Sequence, residues 1–123
     1  RSGAARPLAA DAACLCAAPA FAQQDVVAGT GAVLRALDKV NGDLTDITLA
    51  PGEQAGFGRL IVRLAQCRYP AGNPAGDAFA FLTVRDIDAN EDMFSGWMVA
   101  SSPALNALDH PRYDVWVMRC KTE

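Results

Sequence analysis

Chemistry in this chain has to be built from one histidine, a scatter of carboxylates, a few thiols and two closely spaced arginines. His110 is the only histidine among 123 residues, so acid–base catalysis must run through it or through carboxylates. Asp109 precedes it, Tyr113 and Asp114 follow, and Ser101 and Ser102 lie just upstream. Read as a site, this is a hydrolase acting on a small ligand or carbohydrate through Asp109 and His110, with Tyr113 adding a hydroxyl. Two features oppose it: adjacent residues rarely aim their side chains at one another, and no Gly-x-Ser-x-Gly elbow presents a serine. The plainer alternative has Asp109 and His110 satisfying backbone groups where a short helix stops.

The other constellations divide in the same way. Asp86, Asp88 and Asn90 stand at positions one, three and five of a calcium-type loop, and hard cations take about six to eight such oxygens. Glu91 occupies the sixth position, where glycine is expected, and Trp97 the twelfth, so a charged hairpin tip is the better reading and no metal is expected. Arg59 and Arg63 read as one strand face, either solvated or clamping a carboxylate. Trp97, Trp116, Phe94, Tyr113 and Met98 either fill the core or line a ligand or peptide groove. No cofactor motif is present.

Residues 12–22 (AACLCAAPAFA) form an apolar run behind Arg1 and Arg6, ending in Ala20-Phe21-Ala22 before Gln23. Small residues at both specificity positions make this the cleavage end of a secretory leader spanning 1–22, atypical or truncated because Asp11 opens the apolar stretch. An N-terminal surface helix of the mature chain is the alternative. A run this short cannot span a bilayer, and Cys14 lacks the Leu-like residue that lipidation needs three positions earlier. Export would leave Cys67 and Cys120 as the only thiols in an oxidising compartment, with one possible pairing. Setting aside Arg1, Arg6 and Asp11 leaves 9 basic and 13 acidic residues, a net of −4. With no basic run, nothing recommends nucleic acid or anionic membrane as a partner.

The elements that must position these residues are strands. Residues 23–31 read as a flexible mature N-terminus and 32–121 as one β domain. Leu34, Ala36 and Val40 alternate with Arg35 and Lys39, Asn41-Gly42 marks a hairpin turn, and Thr45, Ile47 and Leu49 form its second strand. Leu60, Val62 and Leu64 predict a half-buried strand ending at Cys67. Strands follow over 78–87, 93–100 and 113–120. Ser102-Pro103 predicts a helix of at most two turns to Leu108, with Pro111 beyond it. The expectation is all-β: a small antiparallel sandwich or barrel of about six strands, with one short helix before the last.

Several stretches resemble an alphaproteobacterial family, domain of unknown function 2155. They are Leu34-Arg35-Ala36-Leu37-Asp38-Lys39-Val40, Phe57-Gly58-Arg59-Leu60, Cys67-Arg68-Tyr69, and above all Phe94-Ser95-Gly96-Trp97-Met98 through Asp109-His110-Pro111 to Tyr113-Asp114-Val115-Trp116. The resemblance covers about 32–121 and implies a Gram-negative source, export and a paired cysteine motif, but no activity. The functional expectation is a periplasmic, non-catalytic module that binds an envelope protein or complex, without membrane insertion of the mature chain. Its expected contact surface is Ser101, Asn106, Asp109, His110 and Tyr113.

Overall fold

A computed structural model describes residues 25–123. The leader expected over 1–22 lies outside the described residues. Among the described residues eight antiparallel strands run in order: β1 Val26–Ala28, β2 Gly31–Asp38, β3 Leu44–Leu49, β4 Gln54–Phe57, β5 Leu60–Pro70, β6 Phe79–Asp86, β7 Glu91–Val99 and β8 Tyr113–Lys121. They make two sheets. One has the order β3-β2-β8. The other has the order β1-β5-β6-β7, with β4 also pairing with β5. The fold is therefore the expected all-β sandwich, and two separate sheets decide against a barrel.

Alternation predicts which side chains meet between the sheets. Leu34 and Ala36 of β2, Ile47 and Leu49 of β3, Leu60, Val62 and Leu64 of β5, Leu82 and Val84 of β6, and Val115 and Val117 of β8 are all buried there. Each fully buried aliphatic side chain contributes about 1.5–3 kcal/mol. Val40 is an exception to its predicted face: it lies past the end of β2, in the Asn41-Gly42 hairpin, and is exposed.

Two expectations need correction. Residues 25–31 are not loose. β1 pairs with the end of β5, and the Gly29 N–H donates to the Cys67 carbonyl at 2.7 Å. Gly31 marks close approach rather than flexibility, since a Cβ there would fall on the Leu49 carbonyl. The helix over 102–108 does not form; successive turns close through Ser102 N–H to Val99 O and Leu105 N–H to Ser102 O. A stretch this short cannot offset the cost of helix nucleation. The Asn106 side chain, moreover, donates to the Trp97 carbonyl at 2.9 Å, anchoring the segment over β7 instead.

The sandwich is tied at both ends. At one end a disulfide joins Cys67 of β5 to Cys120 of β8, linking the two sheets across a separation of 53 residues. At the other, the chain entering β8 brings His110, Arg112 and Tyr113 between the hairpin tips of the two sheets.

Candidate functional site

The polar tie is built on two aspartates with matching roles. Asp38 ends β2, and its Oδ1 accepts the N–H groups of Val40 and Asn41, shaping the β2–β3 hairpin. Asp86 ends β6, and its Oδ1 accepts those of Asp88 and Ala89, shaping the β6–β7 hairpin. Each carboxylate then receives a donor from the segment before β8. Arg112 grips Asp38 through Nε and Nη2, the shortest bond being 2.9 Å. The Nε2 of His110 lies 2.9 Å from Asp86 Oδ2. The 110–112 segment thus latches one hairpin of each sheet, which local sequence could not reveal because the partners are 24 and 74 residues away.

His110 is 3% exposed and has no spare nitrogen. Its Nδ1 accepts the backbone N–H groups of Arg112 and Tyr113 at 3.0 and 3.2 Å. That network assigns the proton to Nε2, pointing at Asp86. Asp109, the expected partner, is exposed, and the structure records no bond between it and the ring. Tyr113 is likewise 3% exposed. The guanidinium carbons of Arg59 and Arg112 each lie over its ring, 5.6 and 5.4 Å from the centroid, with Phe57 edge-on at 5.8 Å. Neither His110 nor Tyr113 is available as a contact residue. Of the expected surface, Ser101, Asn106 and Asp109 remain exposed, with Ser101 Oγ donating to Asp77 at 2.8 Å.

The arginine clamp forms in part. Arg59 turns out of the strand at the β4–β5 hairpin and lies 3.8 Å from Asp86 and 3.5 Å from Asp88, whereas Arg63 is exposed on the outer face of β5. Gly58 opens this hairpin with φ +59, and a Cβ there would sit 2.7 Å from Tyr113 Cζ. Gly58→Ala is therefore expected to lower stability by about 2–4 kcal/mol through backbone strain and overpacking. A change under about 0.5 kcal/mol in denaturant unfolding, the range of an ordinary surface substitution, would refute this role. The calcium-loop oxygens are already engaged: Asp86 is held as described, and Asn90 accepts from Arg85. Among the described residues no group of three or more His, Cys, Asp or Glu side chains is placed to hold a metal ion.

Hydrogen bonds from Arg112 hold Asp38, and the bond from His110 holds Asp86, below the ordinary carboxylate range. The folded protein thus binds fewer protons than the unfolded chain as the medium turns acid. This stabilisation is complete above about pH 4, the unfolded carboxylate value, and is lost as pH falls through the lowered folded values. The melting temperature is expected to fall steeply below about pH 4, with a shallower fall in Asp38→Asn. Identical slopes for the two proteins in a pH series of thermal melts would contradict the assignment.

The outer face of the larger sheet carries what the tie leaves free. Phe79 and Phe81 of β6 point outward, where a solvated sheet ordinarily shows polar groups. Phe81 pairs across strands with Trp97, ring edge to face at 5.4 Å and 85°. Arg68, beside Phe79, stacks its guanidinium 5.5 Å from the Trp97 centroid and donates Nε–H to Gln66 at 2.9 Å. Val26, Arg68, Phe79 and Trp97 line a notch of about 290 Å³. The five residues weighed as core or groove divide between the two, and most of them go to the core. Phe94 and Met98 turn toward the core, Tyr113 is buried, and Trp116 is half-buried on β8 of the other sheet, beside a groove of about 390 Å³ under Pro103, Ala104 and Ala107.

Together these features define a small disulfide-tied antiparallel β-sandwich whose histidine is a structural latch and whose larger sheet carries partly buried aromatic side chains on its outer face. The chain belongs to the family described as "Uncharacterized protein conserved in bacteria (DUF2155)", whose model matches residues 32–120. It is similar to an uncharacterized protein of Rickettsia prowazekii (strain Madrid E), 30% identical over 94 residues, 74% of this chain and 61% of that protein. The chain thus spans less than two thirds of the relative's length. No solved structure matches.

Proposed function

We propose that the domain is a non-catalytic recognition module of the cell envelope, exported to the periplasm, which contacts a protein partner through the outer face of the five-stranded sheet. The observation that carries this reading is the position of the Phe79, Phe81 and Trp97 face directly over the disulfide. Cys67 lies between Gln66 and Arg68 on β5 and pairs with Ala80, which lies between the two phenylalanines on β6. A covalent tie beneath a partly buried aromatic surface holds that surface in one geometry, which lowers the ordering cost of binding. The export part of the reading is supported by the leader-like run ending at Ala22 and by the pairing of Cys67 with Cys120. Photo-crosslinking in intact cells, with the probe at position 81 or, as control, at exposed Ile87, tests it. An envelope protein captured at 81 and not at 87 is expected. Equal capture at both positions, or recovery of the chain in the cytosol with residues 1–22 attached, would overturn it.

A further inference from the structure

The outer face differs in charge from the rest of the molecule. Residues 25–123 carry 9 basic and 13 acidic side chains. Arg35, Arg59, Arg85 and Arg112 each pair with a carboxylate, but among the described residues neither Arg63 nor Arg68, both on this face, has such a partner. Arg68 borders the apolar notch, and Arg63 lies further along β5, opposite Thr83. The lone side-chain hydrogen bond recorded for Arg68 uses Nε and leaves both terminal nitrogens of the fork open. The site therefore offers an apolar notch, an aromatic wall and two guanidinium groups without carboxylates, all on a protein of opposite net charge.

We infer that this face binds an acidic segment of a partner protein, seating one apolar side chain in the notch while flanking carboxylates engage Arg68 and Arg63. The inference rests on the reading of this face as the contact surface. Shape decides for a peptide over a sugar. The notch is walled by Val26, Arg68, Phe79 and Trp97, and the Arg68 guanidinium already lies over the Trp97 ring at 5.5 Å, so that face of the indole is not a free, flat platform for a pyranose ring. Size agrees: about 290 Å³ lies at the lower limit of the roughly 300–1,000 Å³ of sites that enclose whole small ligands, and suits a single side chain. Arg is the side chain matched to carboxylates, through two parallel N–H donors.

The probe is acetyl-Glu-Asp-Phe-Asp-Glu-amide, titrated into the disulfide-bonded protein carrying Trp116→Phe, which leaves Trp97 as the sole tryptophan. A saturable change in Trp97 emission is expected, weakened about tenfold or more by Arg68→Gln, by replacing the four acids of the probe with their amides, and by raising salt from about 50 to 500 mM. Arg63→Gln weakens binding less, and Lys121→Gln, away from the face, leaves it unchanged. Circular dichroism matching the parent protein confirms that each variant is folded. Absence of a saturable response to the acidic probe, equal affinity for its amide counterpart, or a response confined to an oligouronic acid would each overturn the inference. A chain that self-associates through this face in sedimentation would do so as well. Position-specific crosslinking in cells together with a negative titration would sink the acidic-segment inference alone and leave the recognition module standing.

Discussion

Replacing His110 with alanine is expected to lower the unfolding free energy by about 3–5 kcal/mol, because it removes both the partner of a buried carboxylate and the acceptor of two backbone N–H groups. The ring is held on both sides: Nε2 faces Asp86, and Nδ1 accepts from Arg112 and Tyr113. Asparagine at Asp86 distinguishes a hydrogen-bond role from mere space filling. Asp86→Asn preserves volume and one acceptor oxygen for the Asp88 and Ala89 N–H groups, but it presents an amide N–H to the proton on Nε2. The ring cannot switch tautomer to relieve this, since Nδ1 must remain an acceptor. Asp86→Asn is therefore expected to behave like His110→Ala and unlike the parent protein. Urea unfolding of both variants is the measurement. A stable Asp86→Asn protein, or a His110→Ala protein that keeps its stability but loses an activity, would return His110 to the list of catalytic candidates.

Removing the disulfide is expected to cost about 2–5 kcal/mol, a large share of the roughly 5–15 kcal/mol that holds a domain of this size. Cys67 and Cys120 join strands of different sheets, 53 residues apart, so the bond restricts a long loop of the unfolded chain. The paired change Cys67→Ser with Cys120→Ser avoids a free thiol, and guanidinium unfolding of the oxidised parent and the double variant reads the difference. Loss of the bond is also expected to loosen the acidic-peptide site before the domain unfolds, because β5 and β6 carry the notch directly above Cys67. A difference under about 0.5 kcal/mol would mean that the opposite tie and the core suffice without the staple.

Most of the long strands were legible because a buried face leaves a period of two in the residues, as in Leu60, Val62 and Leu64 or Ala80, Leu82 and Val84, whereas β7 was legible as an apolar run without that alternation. The Asn41-Gly42 hairpin was legible because its glycine, at φ +83, must adopt a geometry that few residues accept. β1 and β4 left no such trace. With three and four residues, they owe their conformation to pairing along the edge of β5 and not to their own patterning. The helix expected from Ser102-Pro103 shows the converse, a local signal overridden by the tertiary anchor of Asn106 on Trp97.

By itself the sequence determined the fold class and the place of the first hairpin's turn, because burial and turn geometry act along the chain, and it named the cysteine pair on the expectation of export. It also singled out His110 and the acidic run as unusual. Only the tertiary structure decided what they do: Asp86 and not Asp109 meets the imidazole, Asp38 meets Arg112, and Arg68, Phe79, Phe81 and Trp97 share one outer surface. Such assignments depend on which strands lie side by side and on how two sheets face each other. A charge pair or an aromatic notch assembled across that distance leaves no spacing in the chain from which it can be read.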